Sequence, residues 1–200
     1  PEPASVTYEA LGDGVDFALP VADHEAELTG PLAATLFISS TTEDADLFLV
    51  VRVFDPEGQE VTFQGALDPN TPIAQGWLRA SHRHLDAGRS LPYRPYHTHD
   101  RTEPLVAGEV VRCDVEIWPT SIVVPAGYKV VLSVRGKDYE YSGTLSEFAK
   151  TFYYANKGVG PFTHNDPADR PVERFGGEVT VYTGGDHPSS LLLPVVPAKA

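Results

Sequence analysis

The sequence predicts an all-β fold, a β-sandwich or jelly roll with one short helix and long loops. Apolar and polar residues alternate with the period of a half-buried strand through a series of short segments. Turns built on Pro, Gly, Asp and Asn separate those segments. Helical spacing of apolar residues recurs at one place alone, 143–156.

Residues 1–12 read as a lead-in segment and 13–200 as a single domain. VDFAL (15–19) is short and half apolar. In LAATLFISS (32–40), Ala34, Leu36 and Ile38 alternate with Thr35, Phe37 and Ser39. In DLFLVVRVFDPEGQEVTFQG (46–65), Leu47, Leu49, Val51 and Val53 alternate with Phe48, Val50 and Arg52. Asp55-Pro56-Glu57-Gly58 then supplies a turn, because Pro presets φ at the second position and the turn favours Gly at its end. Val61 and Phe63 resume the alternation and make a hairpin.

EVVRCDVEIWP (109–119) places Val111, Cys113, Val115 and Ile117 on one face, with Arg112, Asp114 and Glu116 on the other. That is the pattern of an antiparallel strand with one face on the core. In TSIVVPAGYKVVLSVRG (120–136), Pro125-Ala126-Gly127 turns the chain, and Val130, Leu132 and Val134 face inward. Strands at EVTVYTGG (178–185) and SSLLLPVV (189–196) close the sequence. In GTLSEFAKTFYYAN (143–156), Leu145, Phe148, Ala149 and Phe152 follow helical spacing, and Thr144 and Glu147 have the spacing of a capping box. The stretches 66–76, 86–108 and 157–176 read as loops.

A chain of 200 residues buries roughly 70% of the surface that its unfolded form exposes. It needs no disulfide, and Cys113 is its lone cysteine. No apolar run approaches the ~20 residues that span a bilayer. The N-terminus has neither the basic nor the apolar region of a signal peptide, so a cytoplasmic location is expected. The chain contains no Met; a cut at the N-terminus and a natural C-terminus are expected. A net charge of −13 argues against a nucleic-acid partner. All of it belongs to residues 1–70, where fourteen Asp and Glu face Arg52 alone. Residues 77–101 are locally basic instead: Arg79, Arg83, Arg89, Arg94 and Arg101 against Asp86 and Asp100.

That basic stretch also carries His82, His84, His97 and His99. His97, His99 and Glu103 have the form H-x-H-x3-E, which resembles the ligand motif of cupins, because residues i and i+2 of a strand share a face. Against a metal stand the flanking prolines, which suit a loop, and Arg94 and Arg101, which repel a cation. No metal or cofactor is expected. The nucleophile elbow G-x-S-x-G occurs nowhere. Cys113, mid-strand among apolar neighbours, reads as a buried structural thiol. Asp114 and Glu116 read as a solvated strand face rather than a glycosidase pair. Asn165, Asp166 and Asp169 read as turn chemistry rather than Ca²⁺ ligands.

Five blocks together resemble one family: LTGPLAATLFISSTTEDADLFLVVRVFDPEGQEV (28–61), GWLRASHR (76–83), PYRPYHTHD (92–100), LVAGEVVRCDVEIWPTSIVVPAGYKVVLSVRGKDY (105–139) and HPSSLLLPVV (187–196). The family is the C-terminal domain of the X-Pro dipeptidyl-peptidase and cocaine esterase (CocE/NonD) serine hydrolases. The resemblance implies a non-catalytic jelly-roll β-sandwich of galactose-binding-domain-like architecture. Its partner would be an upstream α/β-hydrolase domain of the same polypeptide, which holds the Ser-His-Asp triad. A second copy of the chain is the other partner it allows. No catalytic residue carries over to any position here. On this reading residues 77–101 form a docking loop, with Trp77, Arg79, His82, Arg83, Tyr93, Arg94, Tyr96 and His97 at the interface, since Arg and aromatic side chains are enriched at interfaces. The alternatives are a stand-alone carbohydrate-binding module, using Trp118 or Tyr153-Tyr154 as an aromatic platform, and a cupin-like metalloenzyme.

Overall fold

The computed structural model describes residues 2–65, 68–144, 157–160 and 163–197. In chain order its strands are β1 (Ala4–Glu9), β2 (Val15–Ala18), β3 (Ala26–Ser40), β4 (Asp46–Phe54), β5 (Glu60–Val61), β6 (Ala74–Arg79), β7 (Val111–Val124), β8 (Lys129–Arg135), β9 (Glu178–Thr183), β10 (Ser190–Leu192) and β11 (Val195–Val196). They form two antiparallel sheets. One runs β1-β9-β3-β7. Thr35 pairs with Ser190 on one side and Asp114 on the other, so β10 and β11 share the β9 edge of β3. The second runs β2-β8-β4-β6, with β5 beside β6 on the same edge of β4. From β1 to β4 the chain changes sheet at every strand, and again at β7, β8 and β9. That winding is a jelly roll.

The core lies between the sheets, on the faces that alternation marked. Leu32, Leu36 and Ile38 of β3 and Cys113, Val115 and Ile117 of β7 meet Leu47, Leu49 and Val51 of β4 and Val134 of β8. β4 is buried on its other face as well. Phe48 and Val50 lie on that face and are buried too, Phe48 beneath Arg170 and His164. Arg170 lies over the Phe48 ring at 5.0 Å. The buried Tyr139 hydroxyl donates to Glu60 at 2.8 Å.

Four features differ from the expectation. The lead-in stretch 1–12 supplies β1, which pairs with β9 from Ala4↔Thr183 to Glu9↔Glu178 and buries Tyr8. Its half-polar ASVTYE hid it. Residues read as loop at 66–76 and as docking loop from 77 supply β6, so Trp77, Leu78 and Arg79 stand on a strand. The segments read as 109–119 and 120–136 share one strand, β7. It accommodates Pro119 by a register shift opposite Pro31, between Gly30 and Leu32 of β3; neither proline can donate to the ladder, so both sit where the ladder is already broken. A helical turn, Val172–Phe175, falls in the predicted loop 157–176. Of the expected helix, residues 145–156 lie outside the described residues.

Candidate docking face and histidine cleft

The basic stretch does not project as one loop. β6 pairs with β4 so that Arg79 lies opposite Asp46. Arg79 Nε and Nη2 donate to the two Asp46 oxygens at 2.8 and 3.1 Å, and Nη1 and Nη2 to Asp169 at 3.2 and 2.9 Å. The guanidinium also lies 4.5 Å from the Phe175 ring. The hydrogen bond to Asp46 raises the Arg79 pKa above its usual value, against desolvation. The separate hydrogen bond from Arg79 holds the Asp169 carboxyl below its usual range. The far oxygen of Asp46 also accepts from Arg170 Nε at 2.8 Å, and Arg170 donates to the carbonyls of His164 and Gly136 at 2.7 and 2.5 Å.

After β6 the chain makes a 3-10 turn, Ala80–His82. The buried Asp44 carboxylate holds it: Ser81 N and Oγ donate at 3.0 and 2.6 Å, Ala45 N at 3.0 Å and Arg174 at 3.0 Å. Arg83 donates to the carbonyls of Ala80 and Glu103 and lies 3.6 Å from the Glu103 carboxylate. It staples the turn to the returning end of the loop. Two arginines expected at the interface, Arg79 and Arg83, therefore spend their donors inside the domain.

The expected residues Tyr93 and Arg94 do face solvent. They sit in a tight turn closed by reciprocal backbone bonds between Leu91 and Arg94, at 3.0 and 2.9 Å. Tyr96 is half-buried beneath Arg89, which stacks 3.8 Å from its ring. Trp77 is half-buried and meets Trp118 edge-to-face at 5.1 Å. Trp118, 62% exposed, stands at the register shift in β7.

His82, His97 and His99 come together. The His82 and His99 ring centroids are 5.5 Å apart, and those of His97 and His99 6.1 Å. They line a cleft of about 390 Å³ with Phe48, Trp77, Arg79, Asp169 and His164. His82 Nδ1 and His97 Nε2 are buried and have no hydrogen-bond partner among the described residues. Burial, and then the neighbouring His99, holds the His97 pKa below its usual value. His99 is the described non-glycine residue with positive φ, 52°. His164 is the member that sequence reading missed; it lies 5.5 Å from the Phe48 ring and bonds Asp138 through Nδ1 at 3.1 Å. Its loop setting carried no signal of either contact.

The alternative metal set is not assembled. Glu103 turns away from His97 and His99 to His84 Nδ1, at 3.2 Å, and to Arg83. Among the described residues no group of three or more His, Cys, Asp or Glu is placed to hold a metal ion. Asp114 accepts from Thr35 at 2.6 Å and from Arg112 at 2.8 and 2.9 Å. Asp166 accepts from Ala168 N at 2.8 Å, which is turn chemistry. Cys113 is buried, and desolvation pushes its thiol up to about 12. No described helix is long and apolar enough to cross a membrane.

The fold defines a jelly-roll module. More narrowly, the chain belongs to the X-Pro dipeptidyl-peptidase C-terminal non-catalytic domain family, whose model matches residues 4–192. Two crystal structures of a CocE/NonD family hydrolase from Staphylococcus aureus are similar at a TM-score of 0.78, with 27% and 26% identity, over 98% of this chain and 33% of theirs. An α-amino acid ester hydrolase shares the fold at a TM-score of 0.56 and 16% identity, over 92% of this chain and 26% of its own. A Mycobacterium bovis protein that bears a serine-esterase name is 34% identical over 134 residues, 64% of this chain and 20% of its own length. The chain thus spans about a third of the staphylococcal hydrolase and a fifth of the mycobacterial relative.

Proposed function

We propose that this domain packs on an α/β-hydrolase domain of the same polypeptide and shapes the rim of its active site, the parent enzyme being a serine esterase or peptidase. One observation carries the reading: the likeness covers 98% of this chain but 33% of the S. aureus hydrolase, so that relative has twice as much sequence again outside this module. The docking residues are then the ones whose side chains remain outward, Tyr93, Arg94 and the Trp77–Trp118 pair. Arg79, Arg83, His82 and His97 support them from within.

The test uses the full-length parent enzyme. Tyr93→Ala with Arg94→Glu, both away from interior ion pairs, should lower ester hydrolysis severalfold and loosen the two domains in limited proteolysis. Wild-type activity and proteolysis would place the docking face elsewhere. Hydrolysis of a p-nitrophenyl ester by the isolated chain would overturn the non-catalytic reading itself.

A further inference from the structure

The charges around the histidine cleft are matched before any histidine is protonated. Arg79 and Arg170 face Asp46 and Asp169; Arg83 faces Glu103; Arg101 faces Asp100; Arg112 faces Asp114. His84 leans on Glu103, and His164 on Asp138. Asp114 is the described carboxylate that favours a charge on His97, but it is already paired with Arg112, and burial and the neighbouring His99 outweigh it. A proton on the part-buried His97 ring is therefore an added, poorly compensated charge.

Two nitrogens sharpen the point. His82 Nδ1 and His97 Nε2 are shut off from solvent and have no described acceptor. An N–H placed on either has nothing to donate to unless the cleft opens. The segment that carries His97 and His99 is suited to opening. Its hydrogen bonds close largely on itself: Asp86 N to Tyr96 O, Tyr96 N to Ser90 Oγ, Leu91 with Arg94, and Thr98 N to His84 O. Most staples to the rest of the domain sit at its ends, at Arg83, Glu103 and Leu105, with one from its middle, His97 to the Asp114 backbone of β7. His99, held at positive φ, carries backbone strain that release would relieve.

We propose that His82, His97 and His99 form a proton-operated latch: with neutral rings the segment 84–103 lies closed against the sandwich, and protonation releases it as a unit. The latch rests on this chain's geometry and stands apart from the docking reading; where both hold, the docked face comes apart in acid. The sign follows from burial. The closed state lowers the His97 pKa, so the open state binds the proton more readily. Closure is fully stable above the ordinary histidine pKa of about 6.5 and weakens as pH falls below it. The proton on His97 then multiplies the open population by up to about ten per pH unit below that value.

Hydrogen–deuterium exchange of the intact chain tests this, at about pH 7.5 and about pH 5 with intrinsic rates corrected. Peptides from 84–103 should lose at least about tenfold protection in acid, while peptides from β4 keep theirs. His82→Gln, His97→Gln and His99→Gln together should remove the pH dependence. His99→Gln alone, at an exposed site, should keep the fold and shrink the acid loss, because it removes the ring that disfavours charge on His97. Equal protection of 84–103 at both pH values would overturn the latch. So would parallel loss in β4, which is global unfolding, or a pH dependence that survives in the Gln variants.

Discussion

Arg170 Nε lies 2.8 Å from Asp46 Oδ2, joining positions 124 residues apart. Both side chains are buried, and Arg79 meets Asp46 from the solvent side. This triad anchors the Arg170 segment and the end of β6 to β4 at once. Asp46→Ala would leave the Arg170 guanidinium buried without its carboxylate, at a cost of about 3–5 kcal/mol. Arg79→Ala leaves Asp46 paired with Arg170 and should cost about 1–2 kcal/mol. Urea unfolding monitored by tryptophan fluorescence ranks the two. A larger loss for Arg79→Ala would show that its Asp169 and Phe175 contacts outweigh the buried pair.

Asp44 works by hydrogen bonding as much as by charge. Its fully buried carboxylate accepts from two backbone N–H groups, the Ser81 hydroxyl and Arg174. Asp44→Ala strands all four donors and should cost about 3 kcal/mol. For a domain of this size that lowers the melting temperature by about 6–12 °C. Asp44→Asn keeps the shape but must aim an NH₂ at one donor, so it should fall between the two. Differential scanning calorimetry of the three proteins reads the order directly.

Cys113 should be chemically silent. Its thiol lies in the core beside Val115 and Ile117, with its pKa pushed up to about 12, so thiolate is scarce and shielded. Iodoacetamide at neutral pH should leave the native chain unmodified and label it fully in denaturant. Rapid native labelling would mean that the β3–β7 side of the sandwich opens readily.

What the sequence disclosed follows from locality. Alternation located β3, β4, β7 and β8 because their core faces are apolar at every second residue, as in Leu47, Leu49, Val51 and Val53. β1 escaped because Tyr8 is its one fully buried side chain. The histidines could be seen to cluster, but their partners could not. Glu103, at the right spacing for a metal shared with His97 and His99, turns back to Arg83 and His84. Arg79 looked free because Asp46 and Asp169 are 33 and 90 residues away. Of the five arginines in the stretch read as an outward surface, Arg79 and Arg83 turn inward to ion pairs.

β6 escaped for a reason that is itself testable. Gly76 lowers strand propensity, yet it is where β6 and β7, from the two sheets, approach closely. A Cβ built there would lie 2.2 Å from the Glu116 carbonyl oxygen of β7 and 3.0 Å from the Ile117 side chain. The obstacle is backbone in the middle of a paired strand, so it cannot rotate away. Gly76→Ala must push β6 from β7, disturbing Trp77 and its edge-to-face contact with Trp118. The expected cost is about 1–3 kcal/mol or more. Near-UV circular dichroism should show a weakened tryptophan signal even where the chain remains folded. Gly58→Ala is the matched control: its Cβ meets nothing within 4 Å, so its cost comes from positive φ alone and the tryptophan signal should stay intact. If Gly76→Ala leaves both stability and that signal unchanged, the close approach of the sheets at this corner is wrong.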